Sequence, residues 1–207
     1  MAKRVVVIAS GETERRALPQ LAAHLGAEGT LVESVLIPPR NKALDVEMAH
    51  KLVSAAWFKA AVPPDKFVVL FDADGREPDR VLQPFRQSLP PRLHRNITAP
   101  LQLAVAQWHL EAWYFADAVN LRSYLGRATG ADIANPDEIP NPKLRLKHLL
   151  GNCVYTAAVA EEIARVLDPA VIARRSPSFQ RFIAAVKNGP TPVSGLPIEQ
   201  QTAVQTT

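Results

Sequence analysis

FVVLFDADG occupies residues 67–75. Five apolar residues, Phe67 to Phe71, run without interruption into Asp72, and Asp74 follows before Gly75. A strand that is apolar at every position has no polar face, so both faces must be covered. Such strands belong to parallel sheets with helices on both sides. The carboxyl ends of those strands share one edge, and that edge binds ligands. The stretch therefore predicts a fold class and a location for chemistry together.

Its surroundings follow the same rhythm. Strands are predicted at 4–9 (RVVVIA), 30–37 (TLVESVLI), 66–71 and 99–106 (APLQLAVA). Helices are predicted between them at 13–25, 45–61, 78–88 and 108–124, from their apolar spacing and from Asp45 as an N-cap. Pro19 inside the first helix implies a kink or a later start. None of the strands shows strict alternation, which extends the expectation of two buried faces to all of them. Strand–helix alternation argues for an α/β fold, a mostly parallel sheet flanked by helices. The pattern then changes. Residues 127–142 read as loop, and 143–150, 153–167 and 178–187 as helices. The organisation predicted is an α/β core over 1–126, a C-terminal helical appendage over 127–187, and a poorly ordered tail over 188–207.

At 207 residues with 47% hydrophobic and 21% charged residues, the chain has an ordinary globular composition. No apolar run approaches the ~18 residues of a membrane span. The start, MAKRVVVIASGETERR, reads as a first strand and not as a signal peptide. The single cysteine, Cys153, excludes an internal disulfide and fits a cytoplasmic protein. It reads as a small buried hydrophobe, and Trp108, Trp113, Tyr114 and Phe115 read as core. The net charge of +4 is mild, but its distribution is uneven. Residues 76–95 carry five arginines (Arg76, Arg80, Arg86, Arg92, Arg95) against two acids, and Lys143, Arg145 and Lys147 lie close together. These are either a guide for a phosphate backbone or a solvated helix face.

The carboxyl edge collects acids. The first strand runs into Ser10, Gly11, Glu12 and Glu14, the third into Asp72 and Asp74, and the fourth toward Glu111, one turn into the next helix. In extended chain, positions i and i+2 point the same way, ~6–7 Å apart. Two carboxylates there repel by about 2–3 kcal/mol at an effective dielectric of ~20. A divalent cation reverses that sign, and hard oxygen ligands suit Mg²⁺ or Mn²⁺. The alternative is that Asp72 caps a turn and Asp74-Gly75 forms one. Gly11 is read as allowing a tight turn, and Glu12 as a charge favouring the helix N-terminus. No histidines sit at zinc-ligand spacing.

VVVIASGETERRALPQL (5–21) resembles the first motif of Toprim domains, a strand ending in Val-Glu-Gly-x-Thr-Glu, and FVVLFDADG resembles their Asp-x-Asp motif. EAWYFAD (111–117), Asn-Pro-Lys at 141–143 and SPSFQRF (176–182) are similar to an uncharacterised bacterial Toprim-like family often encoded beside ATPases and implicated in defence. The resemblance covers residues 4–187. It implies a Toprim-like fold and Mg²⁺- or Mn²⁺-dependent phosphodiester chemistry on nucleic acid, with a partner ATPase. It implies Asp72, Asp74, Glu14 and Glu111 as metal ligands, Glu14 and Glu111 with a catalytic role, and Lys143 as the group stabilising phosphate charge. One position departs. The motif's first glutamate is Ser10, which is neither an anionic ligand nor a general base at neutral pH. Glu12 takes its place, or the site runs on the remaining acids, or catalysis is lost and the fold only binds. The functional expectation is a metal-dependent nuclease. The alternatives are a catalytically degenerate binding module and phosphoryl chemistry on a small molecule. The P-loop pattern is absent, which excludes nucleotide hydrolysis of that kind.

Overall fold

β1 (Lys3–Ile8), β2 (Thr30–Leu36), β3 (Lys66–Asp72) and β4 (Leu101–Ala106) pair in parallel in the order β2-β1-β3-β4. They belong to a computed structural model that describes residues 2–126 and 133–187. β1 and β3 are interior, and Val5–Ile8 and Lys66–Phe71 are buried throughout. β2 and β4 are edges, so the expectation of two buried faces fails there. In β2, Leu31 and Glu33 are exposed while Thr30 and Val35 are buried. An edge strand keeps one flank in water and shows the alternation that interior strands lose.

Successive side chains leave the sheet on opposite sides, and each side has its own core. Val5, Val7, Val68, Leu70 and Ala104 face Leu18 and Leu21 of helix α1 (Glu12–Leu21). Val6, Ile8, Phe67, Val69 and Phe71 face Ala49 and Val53 of α2 (Val46–Lys59) and Leu82 and Phe85 of α3 (Pro78–Ser88). Each large side chain so covered contributes about 1.5–3 kcal/mol. Helices thus flank the sheet on both sides, as expected.

The Asp45 carboxylate accepts from the Met48 N–H at 2.8 Å and caps α2. Helix α1 runs through Pro19, ends at Leu21, and passes into a 3-10 segment over Ala23–Glu28 instead of continuing to residue 25. The single helix expected over 108–124 is two: α4 (Glu111–Tyr114) and α5 (Ala118–Leu125). Asp117 divides them. Its carboxylate accepts from the N–H of Asn120 and, at 2.8 Å, of Asp168, which favours a new helix start over continuation.

The C-terminal part is helical: α6 (Pro142–Leu150), α7 (Ala157–Val166), α8 (Pro169–Arg175) and α9 (Pro177–Lys187). α7 begins at 157, where Thr156 caps it, and not at 153. α8 is a helix that periodicity missed. Its start is written in the sequence all the same: Asp168 accepts from the Ala170 N–H at 2.8 Å, and Pro169 takes the first turn. Cys153 is exposed, contrary to the expectation of burial. It follows Gly151 in the turn that leaves α6, where the chain runs at the surface.

These helices share the core of the α1 side, where Ile163, Phe179 and Phe182 join Val5 and Leu18. Trp113 anchors the junction. It is fully buried between Phe179 and Phe182, and its Nε1–H donates to Ser178 Oγ at 2.7 Å. Buried Asp137 accepts from Ser176 Oγ at 2.6 Å and from the Ser178 N–H at 2.7 Å. The serines of SPSFQRF therefore hold the fold. Trp108, read as core, is only half-buried. The expected tail, 188–207, and residues 127–132 of the expected loop lie outside the described residues. Among the described residues no helix is long and apolar enough to cross a membrane.

Candidate functional site

The strand order reverses direction between β1 and β3, because β2 lies outside one and β4 outside the other. A crevice at the carboxyl ends of two such strands is where α/β sheets bind ligands. Ser10 follows β1 and Asp72 ends β3, and the Ser10 hydroxyl donates to Asp72 Oδ2 at 3.3 Å across that point.

Three acids meet here from three elements. Glu14, in the first turn of α1, is 4% exposed. Burial pushes its pKa up. Repulsion from Glu111 adds to that, while a backbone hydrogen bond, Lys143 and Ser10 oppose it. Asp72 is raised well above the usual carboxylate range, first by withdrawal from solvent and then by the charges of Glu14 and Glu111. Glu111, the first residue of α4, is fully buried, and neither of its oxygens has a hydrogen-bond partner. The Lys143 ammonium, from the first turn of α6, stands 3.6 Å from Glu111 Oε1, just beyond hydrogen-bonding distance. A buried carboxylate without hydrogen bonds costs several kcal/mol and needs an explanation. Two further buried groups face it. Burial raises the Tyr114 and Tyr155 hydroxyls, with Glu111 adding to both shifts. Tyr114 donates to the Ala160 carbonyl, and the Tyr155 hydroxyl stands beside Glu111 and Tyr114. Nothing in the sequence around Tyr155 marked it for this place.

Asp74 stands apart from this group. The alternation argument for Asp72 and Asp74 assumed extended chain, but the strand ends at Asp72. Asp74 and Gly75 have φ of 51° and 76°, and the Arg76 N–H returns to the Ala73 carbonyl at 2.9 Å. Positive φ at both central positions is the type I′ arrangement that Asp-Gly favours. Exposed Asp74 meets His109 Nε2 at 3.0 Å and the Arg76 guanidinium at 3.3 Å. The five scattered histidines offered no ligand pair, so His109 went unnoticed. Its position between the end of β4 and Glu111 was the available signal.

The glycines differ in purpose. Gly11 is extended, with φ of −163°, so no tight turn requires it. A Cβ there would instead approach Glu14 Oε2 at 3.3 Å, so its absence leaves room for that carboxylate. Gly75 needs its freedom twice, because a Cβ would also meet Trp108 ring atoms at 2.5 Å. Gly75→Ala is expected to destabilise the protein by about 1–3 kcal/mol. Thermal melts check this, at about 2–4 °C per kcal/mol.

Glu12 is exposed and pairs with Arg15 at 2.6 Å, in keeping with a helix-start role and not with replacing the missing glutamate. The five arginines of 76–95 are all exposed. Arg86 is paired with Asp79, and Arg145 lies 5.2 Å over the Phe115 ring. Beside the acids, a cleft of about 610 Å³ reaches from Ser10 and Asp72 to the start of α2 and the flank of α3. Among the described residues no three His, Cys, Asp or Glu side chains already stand grouped so as to hold a metal ion.

An α/β protein with acids gathered at its sheet switch point is the class that these features define. Residues 10–187 match the family described as domain of unknown function DUF4276, and the chain belongs to that family. No curated protein and no solved structure matches it. The matched span contains Ser10, Glu14, Asp72, Asp74, Glu111 and Lys143.

Proposed function

We propose that this protein is a divalent-metal-dependent phosphodiester hydrolase, a Toprim-like nuclease acting in the cytoplasm beside a partner ATPase in phage defence. The observation that carries the reading is Glu111, fully buried with neither oxygen hydrogen-bonded and only the Lys143 ammonium at 3.6 Å to offset it, next to two acids whose charges oppose it. A proton or a cation relieves the repulsion among buried carboxylates, and an all-oxygen donor set of this kind fits Mg²⁺ or Mn²⁺. Glu14, Asp72 and Glu111 would hold it, with Asp74 at the rim. The side chains must draw together to do so, since they do not stand in ligand geometry beforehand. When bound, the ion supplies an activated water and neutralises charge on the phosphate. The chain does the rest. Lys143, half-exposed beside Glu111, offers its ammonium to a phosphate oxygen. Glu14, whose pKa burial raises above the ordinary carboxylate value, is the acid placed to exchange a proton at the site. Exposed arginines on and around α3 attract the nucleic acid backbone.

One observation favours a second reading. Ser10 already bonds Asp72, and Lys143 already faces Glu111, so both acids have a neighbour without a metal. A catalytically degenerate module that binds nucleic acid or the ATPase would keep this arrangement. Calorimetric titration with Mn²⁺ decides between them. The nuclease reading expects saturable binding by the native protein and its loss in Glu111→Gln, with both folded by circular dichroism. No binding by the native protein would leave the degenerate module as the better account.

A further inference from the structure

The cleft beside the acids is not lined like a phosphate track. Its walls are Leu44 and Val46 at the start of α2 and Val81 and Pro84 on α3, over a floor of Phe71 and Phe85. Those two rings lie 4.1 Å apart between centroids and are themselves buried. Leu44, Val46 and Val81 are half-buried and Pro84 is exposed, so apolar surface remains open to an occupant. One end opens on Ser10 and Asp72, and Arg76 and Arg80 stand at the side. Its acids other than Asp72 are already engaged. Asp45 caps α2, and Asp74 meets His109 and Arg76. An occupant must therefore be flat or apolar in its body and anionic where it meets the arginines.

We propose that this cleft seats one unpaired base of a single-stranded nucleic acid, delivering the adjoining phosphate to the acids at Asp72. The inference rests on the nuclease reading above and names its substrate class. A base inside a duplex is stacked and paired, so it cannot enter a side cleft without being turned out at a cost of several kcal/mol. A single strand enters without that cost, and base contacts with apolar and aromatic walls tolerate any sequence. The volume, about 610 Å³, lies within the range of small-molecule pockets and is ample for a nucleotide.

The test compares a fluorescein-labelled oligodeoxythymidine with a blunt duplex of equal length, by anisotropy in Ca²⁺, on the native chain, Val81→Glu and Arg80→Ala. The single strand is expected to bind about tenfold or more tightly than the duplex. Val81→Glu, which places a carboxylate in the cleft, should remove that preference. Arg80→Ala should weaken strand binding and lower the salt slope by about one. Equal affinity for strand and duplex overturns the proposal, and so does absence of strand binding. Unchanged strand binding in Val81→Glu overturns it as well. If Val81→Glu does not fold, an unchanged affinity and salt slope in Arg80→Ala overturns it. Mn²⁺ titration of the same samples separates the two readings. No strand preference in the native protein with its Mn²⁺ binding intact sinks the cleft alone, whereas a strand-selective native protein that binds no Mn²⁺ sinks the metal reading and leaves the cleft.

Discussion

Asp72→Asn is expected to weaken Mn²⁺ binding and any metal-dependent hydrolysis by about 10²-fold or more, while raising the melting temperature of the metal-free protein. Loss of an outer partner of a metal ligand costs 10–100-fold, so loss of a ligand costs at least as much. The stabilisation has a separate cause. Asp72 is half-buried, is partly desolvated, and faces Glu14 and Glu111. Asparagine keeps the shape and still accepts the hydrogen bond from Ser10, but carries no charge. Removing such an active-site conflict gains about 0.5–2 kcal/mol, which at 2–4 °C per kcal/mol is a shift of several degrees. Asp74→Asn should behave differently. Asp74 is exposed and faces His109 and Arg76, so its loss leaves the metal-free melting temperature nearly unchanged and weakens Mn²⁺ binding less. Equal effects of the two substitutions would show that the turn does not separate them in solution.

The pH dependence of stability at the buried acids carries a definite sign. Glu14 and Asp72 have pKa values raised above those of the unfolded chain, so the folded state binds more protons than the unfolded one. Stability then falls as pH rises. The contribution is complete below the ordinary carboxylate values near 4, and it is lost as pH rises through the raised folded values. In Asp72→Asn much of this loss disappears, so the stability gain of the variant over the native protein should grow with pH. Melts of both proteins across the acidic to neutral range measure it directly. A constant difference would mean that the cluster is not desolvated. Mn²⁺, by holding the charged forms, should flatten the native curve.

What the sequence made legible follows burial. FVVLFD and RVVVIA are apolar at nearly every position because β3 and β1 are interior, and interior strands advertise themselves. TLVESVL was readable as a strand but not as an edge, since one flank in water leaves only a partial alternation. The meeting of Ser10, Glu14, Asp72 and Glu111 followed from a single rule about strand ends, and the structure gathers them. The pairing of Asp72 with Asp74 did not follow, because it assumed extended chain through a position where Asp-Gly turns. The split at Asp117 was hidden for a related reason. EAWYFADAVNL keeps helical apolar spacing across the break, and only a carboxylate that bonds the Asn120 and Asp168 N–H groups reveals it. Tyr155 reaches the site through tertiary contacts that no local pattern encodes, whereas His109 was marked only by its place between the end of β4 and Glu111.

Trp113→Ala should be the most damaging single substitution outside the acids, and its damage should reach the site. Trp113 is fully buried, packs on Phe179 and Phe182 at 5.1 and 5.5 Å between ring centroids, and donates to Ser178. Truncating a buried tryptophan costs about 3–5 kcal/mol, a large part of the 5–15 kcal/mol that holds a typical domain. The melting temperature should fall by roughly 6–20 °C. The site is involved because Trp113 lies in the same four-residue helix as Glu111. So short a helix is not stable by itself and takes its position from what it packs against. Losing the anchor to α9 therefore frees the Glu111 carboxylate, and Mn²⁺ affinity should drop even at temperatures where the variant remains folded. Trp113→Phe separates the two roles. It keeps the ring contacts and loses only the hydrogen bond, at about 1 kcal/mol, so Mn²⁺ affinity should stay close to native. If Trp113→Ala melts early yet binds Mn²⁺ as the native protein does, α4 is held by its neighbours on the sheet side and α9 plays no part in placing Glu111.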